Sequence, residues 1–188
     1  MPTPPPDTYA SIRYLITMVR TLTGAPISLF TDDDVAGLLR DRQEKFALVR
    51  LNAVRITATN MPYSFKEYHS DDQFWEAGAI ITDWNRLSVV DPSLYDEDAR
   101  GGIWTFHTAS SNRYHVYLTA NLHDPYGAAA DLLELWANRA ALDVDFSADG
   151  TSQHLSQRTA ALFEASSKMN AKARIRVGTR VRSDERWT

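Results

Sequence analysis

The side chains of this sequence best suited to acid–base or metal chemistry are five widely spaced histidines. They do not form HExxH or a comparable metal-binding spacing. His107 and His115 lie on two predicted strands that could be paired, which would bring their imidazoles together. A lone histidine on a strand is usually a surface or hydrogen-bonded residue. The sequence therefore does not favour a histidine centre at any of the five positions, which are His69, His107, His115, His123 and His154.

The other common catalytic and cofactor signatures are also missing from the sequence. The chain has no cysteine, which excludes disulfides, thiol nucleophiles and Cys-based metal sites. The serine pairs 110–111 and 166–167 have no neighbouring base and no GxSxG context. The glycines form neither GxGxxG nor GxxxxGK[ST]. We therefore expect a protein that is not an enzyme, with no catalytic, cofactor-binding or metal-binding residue and no cofactor.

The sequence contains two acidic runs, of which the first could bind a divalent ion. Asp32, Asp33 and Asp34 follow Thr31 at the start of a predicted helix, where the helix dipole favours negative charge. Adjacent carboxylates on a helix point in different directions, so a solvated helix start is the better interpretation. The run 96–98 lies in a predicted loop between strands, and we expect it to be solvated too.

Length and composition indicate one domain, or one domain with an insertion, with a sizeable core. The chain has 188 residues, 44% of them hydrophobic, and a net charge of −4. The negative charge argues against a protein that coats nucleic acid with its whole surface. No run approaches the roughly 18 apolar residues of a membrane span, so no membrane partner is expected. The N-terminal MPTPPPDTYA lacks the features of a secretory signal and predicts a short extended arm.

Charge is distributed very unevenly along the chain. Residues 168–188 contain seven Lys or Arg and two acids, whereas the other 167 residues contain 13 basic and 22 acidic residues. Within this tail, Ile175, Val177 and Val181 form a broken alternation that suits an extended strand. Trp187 lies beyond any plausible core and is interpreted as an anchor for a partner's pocket. Of three alternatives (a solvated terminus, phosphate binding, and strand addition to a partner), the alternation and Trp187 favour the third.

Hydrophobic periodicity predicts two helices before a strand-rich segment and two after it. The first is capped by Asp7 and stops at Gly24, and the second starts at Thr31 and extends to about residue 59. The third is capped by Asp124, with Pro125 in its first turn, and runs to about residue 142. The fourth starts at residue 151 or 152.

Between these helical pairs, aromatic and β-branched residues predict short strands at 79–82, 87–90, 102–106 and 114–118, forming one antiparallel sheet of three or four strands. The predicted fold class is therefore mainly α, a small α-helical bundle with an inserted antiparallel β-sheet and an extended C-terminal tail. Its predicted parts are an N-terminal arm and helical pair at 1–61, a β-rich insertion at 62–121, a C-terminal helical pair at 122–173 and the basic tail at 174–188.

One ordered combination of segments is similar to a known family. The strand end Tyr117-Leu118-Thr119 is followed by the helix 124–137, DPYGAAADLLELWA, and then by the loop 145–150, DFSADG. With the helix after this loop and the basic extension, the pattern resembles the head–tail connector (adaptor, or head-completion) proteins of long-tailed bacteriophages. The likeness covers about residues 86–175, and residues 7–60 match only as a helical pair. The longer region 62–80 departs from shorter members, and it could contact a tail-side partner or a neighbouring subunit.

The resemblance implies a structural virion protein of the phage neck, present in the host cytoplasm during assembly. Such proteins form a ring, usually twelve-fold, that joins the portal protein to a tail-proximal neck or stopper protein and extends the DNA channel. Genome DNA would then pass through without sequence-specific contacts. Helices 7–23 and 124–142 are expected to pack subunits together, and the tail is expected to add strands to the portal. The predicted portal-binding residues are Arg174, Ile175, Arg176, Val177, Arg180, Val181, Arg182 and Trp187.

Two functions from other classes remain as alternatives. A nucleic-acid-binding regulator that uses the basic tail would bind duplex DNA as a monomer, with a steep salt dependence. An enzyme with a histidine site on the sheet would lose activity on substitution of His107 or His115 without any change in assembly.

Overall fold

The computed structural model describes residues 9–58, 61–84, 88–110, 115–145 and 152–173. These residues form four α-helices, eight β-strands and two 3-10 turns, at Ala10–Ile12 and Pro92–Leu94. In chain order the helices and strands are α1 Arg13–Thr23, α2 Asp32–Asp41, β1 Gln43–Arg50, β2 Asn52–Ala58, β3 Met61–His69, β4 Ile80–Asp83, β5 Ser88–Val89, β6 Tyr95–Asp98, β7 Ile103–Ser110, β8 Val116–His123, α3 Pro125–Asp145 and α4 Ser152–Asn170.

The predicted mainly α fold class is wrong, because the described residues build a mixed α/β fold with two four-stranded antiparallel sheets. Sheet A has the strand order β1-β8-β4-β5, and sheet B has the order β2-β3-β7-β6. The four strands predicted in the middle of the chain correspond to β4, β5, β7 and β8. They are divided between the two sheets, and β1 and β2 occupy residues that were assigned to the second helix.

A β-bulge explains why the apolar spacing of β1 predicts the continuation of a helix. Phe46 pairs with Ala120 and Val49 pairs with Leu118, so three steps along β1 match two steps along β8. The extra residue lies in this bulge, where Leu48 has a positive φ of 55°. Phe46 and Val49 both pack against the core as a result. Their spacing of three residues, which normally indicates a helix, here comes from an irregular strand.

Local capping signals predict the end of α1 and the starts of α2 and α3, whereas α2 ends at Asp41 and not near residue 59. Gly24 ends α1 in the left-handed conformation, with a φ of 63°. Thr31 and Asp34 form a reciprocal capping box at the start of α2. Asp124 accepts a hydrogen bond at 3.0 Å from the backbone N–H of Gly127, which confirms it as the cap of α3. The predicted cap Asp7 lies outside the described residues.

The buried apolar side chains form two clusters. One draws residues from both sheets and has Trp75, Trp104 and Phe106 fully buried. The other lies among α1, α2 and α3 and contains Ala128 and Ala129. The small-residue face of α3 is therefore used within the chain, where it lets neighbouring helices approach closely. No helix in the described part of the chain is long and apolar enough to cross a membrane.

Candidate interaction surfaces

His107 and His115, which could have been neighbours if their strands were paired, are in different sheets. His107 is on β7 in sheet B, and His115 immediately precedes β8 in sheet A, so their strands are not paired with each other. The Nε2 atom of His107 lies 3.3 Å from Asp96 Oδ1, and both side chains are exposed. Among the described residues, no three His, Cys, Asp or Glu side chains are grouped so that they could hold a metal ion.

A partly buried polar cluster around Glu76 is the arrangement closest to a catalytic one. Ser11 Oγ donates to Glu76 Oε1 at 2.6 Å, and Asn121 Nδ2 donates to Oε2 at 2.5 Å. Burial raises the pKa of Glu76, but these two hydrogen bonds and the nearby His123 together outweigh it and hold the pKa below its ordinary value. The buried imidazole of His123 lies 3.8 Å from Glu76 Oε2 and contacts the carbonyl of Leu39 through Nδ1 at 3.1 Å.

This cluster lacks the order of groups that activates a serine. The hydroxyl of Ser11 is hydrogen-bonded to the carboxylate of Glu76, whereas a triad places an imidazole against the serine. Ser11 belongs to the first 3-10 turn, Glu76 follows β3, and Asn121 is on β8, so the contacts join three distant parts of the chain. We interpret the cluster as structural. No sequence signal could have found it, because its members are far apart along the chain.

The eight predicted portal-binding residues, Arg174 to Trp187, lie outside the described residues. The position at which the chain leaves α4 is described. Ser166 Oγ donates to the backbone carbonyl of Ala130 at 3.0 Å, and Met169 packs against the helical cluster. The C-terminal end of α4 therefore lies beside the first turns of α3.

A groove of about 750 Å³ separates α1 from β6 and the turn that follows it. Its α1 side combines tyrosine, threonine and apolar side chains, and its opposite side carries Glu97 and Asp98, with Arg100 beyond them. Tyr126, in the first turn of α3, also lines the groove. The remaining lining residues are Tyr14, Thr17, Met18, Thr21, Leu22, Ala77 and Ala99.

The acidic side of this groove is a strand, although residues 96–98 were predicted to be a loop. β6 is an edge strand of sheet B, paired with β7 on one side only. Glu97 is held in place, since its two carboxylate oxygens accept hydrogen bonds from the backbone N–H groups of Gly78 and Ala79, at 2.8 and 3.2 Å. Asp98 Oδ1 accepts from the N–H of Gly101 at 2.9 Å. Acidic side chains protect an exposed edge from unwanted pairing, which is why such a run can belong to a strand.

The negative field of these carboxylates reaches Tyr14 on α1. The hydroxyl of Tyr14 donates to the backbone carbonyl of Trp75. Burial raises the pKa of Tyr14 far above its usual range, and the charges of Glu97 and Asp98 raise it further. The groove thus combines apolar contact area with a negative potential.

The second candidate surface is the outer face of sheet A, defined by Ile80, Trp84, Val89 and Tyr117. Along β4 and just after it, exposed Ile80 and Trp84 alternate with buried Ile81 and Asp83. Ile80, Trp84 and Val89 are 49%, 48% and 66% exposed. The rings of Trp84 and Tyr117 lie 5.3 Å apart, and Val89 and Tyr117 both pair with Thr82, so these apolar side chains share one face of the sheet.

The two surfaces differ in chemistry. The outer face of sheet A is apolar and suits a second apolar surface, whereas the groove suits a basic, partly apolar segment. Comparisons of the chain with protein-family models, with curated proteins and with solved structures found no match.

Proposed function

We propose that this chain is a structural, non-enzymatic protein of a bacteriophage virion, an adaptor ring that joins the portal to the tail-proximal neck and extends the DNA channel. The observation that carries the proposal is the outer face of sheet A, where three large apolar side chains are exposed together. Connected exposed apolar surface of this kind marks protein–protein contact sites. In a ring, a neighbouring subunit would cover this apolar face, whereas an enzyme or a free monomer would leave it exposed to water.

The identity of the assembly comes from the resemblance to head–tail connectors. Of the elements that carry it, β8, α3 and α4 are described and the Asp124 cap of α3 is formed. Residues 146–150 of the loop and the basic extension lie outside the described residues. The division of the strands into two sheets, and strands β1 and β2, were not part of that expectation.

The interface within the ring is proposed to involve the outer face of sheet A. The helices α1 and α3 were expected to pack subunits together, but their apolar faces already contact each other within the chain. Their residues Ile16, Val19, Ala128 and Leu132 are buried. The exposed apolar residues of sheet A lie together on one face, whereas Leu135, 43% exposed, is the one exposed large apolar residue among residues 125–141 of α3.

The overall charge fits a channel component. The chain has a net charge of −4, although its C-terminal segment is basic. A negative wall repels the phosphate backbone and lets DNA pass without sticking. The basic C-terminal segment would then bind the portal through strand addition and ion pairing.

Electron microscopy of the portal protein of the same phage, with and without this chain, tests the proposal. We expect an additional ring at the tail-proximal end of the portal when the chain is present. A portal that is unchanged, together with salt-sensitive duplex binding by the isolated chain, would reject the adaptor and support the nucleic-acid-binding regulator.

A further inference from the structure

We infer that the groove between α1 and β6 binds the chain's own basic segment, residues 174–188, in the free protein. The segment would lie along the acidic edge strand β6, in the same chain from which it emerges. This inference goes beyond the adaptor role, because it concerns the protein before any partner is bound and stands whatever that partner is.

The path of the chain favours this occupant. The hydrogen bond from Ser166 to the carbonyl of Ala130 fixes the end of α4 beside the start of α3. Tyr126, one helical turn before Ala130, lines the groove. The segment therefore starts near one end of the groove. Its 15 residues would span about 50 Å if fully extended, which is ample to follow the strand.

Charge complementarity favours it as well. Residues 174–188 contain five arginines and two acids. Three consecutive acids, Asp96, Glu97 and Asp98, lie on β6, and Asp96 is 81% exposed at its side chain. Among the described residues, Arg100 is the one basic residue that lines the groove, and it lies beyond the strand. Ion pairing between the five arginines and the three carboxylates would stabilise the bound segment. Added salt would screen these charges and weaken the binding.

The strand pattern gives the third argument. β6 is an edge strand with one side not paired to any described strand. An extended segment can add to such an edge through its backbone while its side chains fill adjoining pockets. Ile175, Val177 and Val181 alternate in the manner that strand addition requires, and Met18, Leu22 and Ala77 provide apolar contact area in the groove.

A spin label on the segment tests the inference in the full-length protein. Because the chain has no cysteine, Ser183→Cys creates a unique labelling position. We expect the label to broaden the backbone amide signals of Thr21, Asp98 and Ala99 and to spare that of Val89. Broadening of Val89 instead, or of no amide in the described body, would overturn the inference.

Two further samples separate the alternatives. In the first sample, spin-labelled chain without isotope enrichment is mixed with isotope-enriched chain that carries no spin label. Signal broadening in this mixture reports contacts between two copies. Broadening of the groove in this mixture would show that the occupant is a second copy's segment, contrary to the inference. Asp96→Asn with Asp98→Asn should restore the groove signals, whereas the matched pair Asp33→Asn with Asp41→Asn, on exposed residues of α2, should leave the broadening unchanged. Equal effects of the two pairs would contradict a local charge contact at β6.

Discussion

Arg42 and Asp131 form a bidentate salt bridge that fastens β1 to α3. Arg42 Nε donates to Asp131 Oδ2 at 2.8 Å, and Nη2 donates to Oδ1 at 2.7 Å. The two residues are 89 positions apart, and Arg42 lies between the end of α2 and the start of β1. The hydrogen bonding to Asp131 raises the pKa of Arg42 and keeps it charged. This contact positions the turn at which the chain passes from the helical layer into sheet A.

Replacing Asp131 with asparagine should destabilise the protein moderately. The asparagine keeps one oxygen acceptor but loses the negative charge and the two parallel hydrogen bonds to the guanidinium. Because both side chains are partly exposed, we expect a loss of about 1 kcal/mol in the free energy of unfolding. Urea denaturation followed by tryptophan fluorescence measures it. Arg40→Ala on the exposed side of α2 is the control and should change stability little. Equal losses for the two variants would mean that the salt bridge does not stabilise the fold.

Glu76 should make stability depend on pH in the acid range. Its pKa is held below its ordinary value of 4.5, so its contribution is present above that pH and is lost as the pH falls through the lowered pKa. Glu76→Gln should therefore reduce stability at pH 7 and show a shallower decline towards pH 3 than the wild type, measured as unfolding midpoints. Glu134→Gln, at an exposed position of α3, should keep the wild-type decline. An unchanged acid decline in Glu76→Gln would contradict this role.

Local signals in the sequence were sufficient for several helix boundaries and for four of the strands, but not for the end of α2 or for the order of the strands in the sheets. Gly24, Thr31 and Asp124 act through their own turns, so their effect can be predicted without the fold. Phe46 and Val49 could not be assigned correctly, because a bulge opposite β8 determines which way they face. The acids 96–98 suggested a loop because charge is unusual in a strand, and only the sheet order reveals that β6 is an edge.

Neither the outer face of sheet A nor the groove could be predicted from the sequence. The outer face of sheet A exists because β4, β5 and β8 are neighbours, and residue types alone do not specify which strands pair. The groove likewise depends on how α1 packs beside sheet B. The basic tail was recognisable from its composition, but its acidic counterpart required the fold.

Substitution of two tryptophans should destabilise the protein to very different extents. Trp75 is fully buried, its Nε1 donates to the carbonyl of Asp72 at 2.9 Å, and its ring meets Phe46 edge-on. Trp75→Ala should cost about 3–5 kcal/mol, since it leaves a cavity in the core. Trp84→Ala, at an exposed position, should cost less than about 1 kcal/mol. Thermal unfolding by circular dichroism measures both, and similar melting temperatures for the two variants would contradict the assignment of Trp75 to the core.

The outer face of sheet A should control self-association. Val89→Lys places a charge in the apolar surface, so it should abolish or strongly weaken ring formation on the portal while leaving the monomer folded. Leu135→Lys changes an exposed apolar residue on α3 and should leave assembly intact. Sedimentation velocity with and without the portal distinguishes them. Loss of assembly with Leu135→Lys but not with Val89→Lys would contradict an interface on sheet A and would indicate one on the helices.

Co-sedimentation with the purified portal tests the central claim most directly. The wild-type chain is compared with a full-length variant in which the five arginines of residues 174–188 are replaced by glutamine. The account predicts that the wild type sediments with the portal and that the variant does not, because the basic segment makes the attachment. Failure of both proteins to sediment with the portal would contradict the adaptor function, and undiminished binding by the variant would contradict the role of the tail.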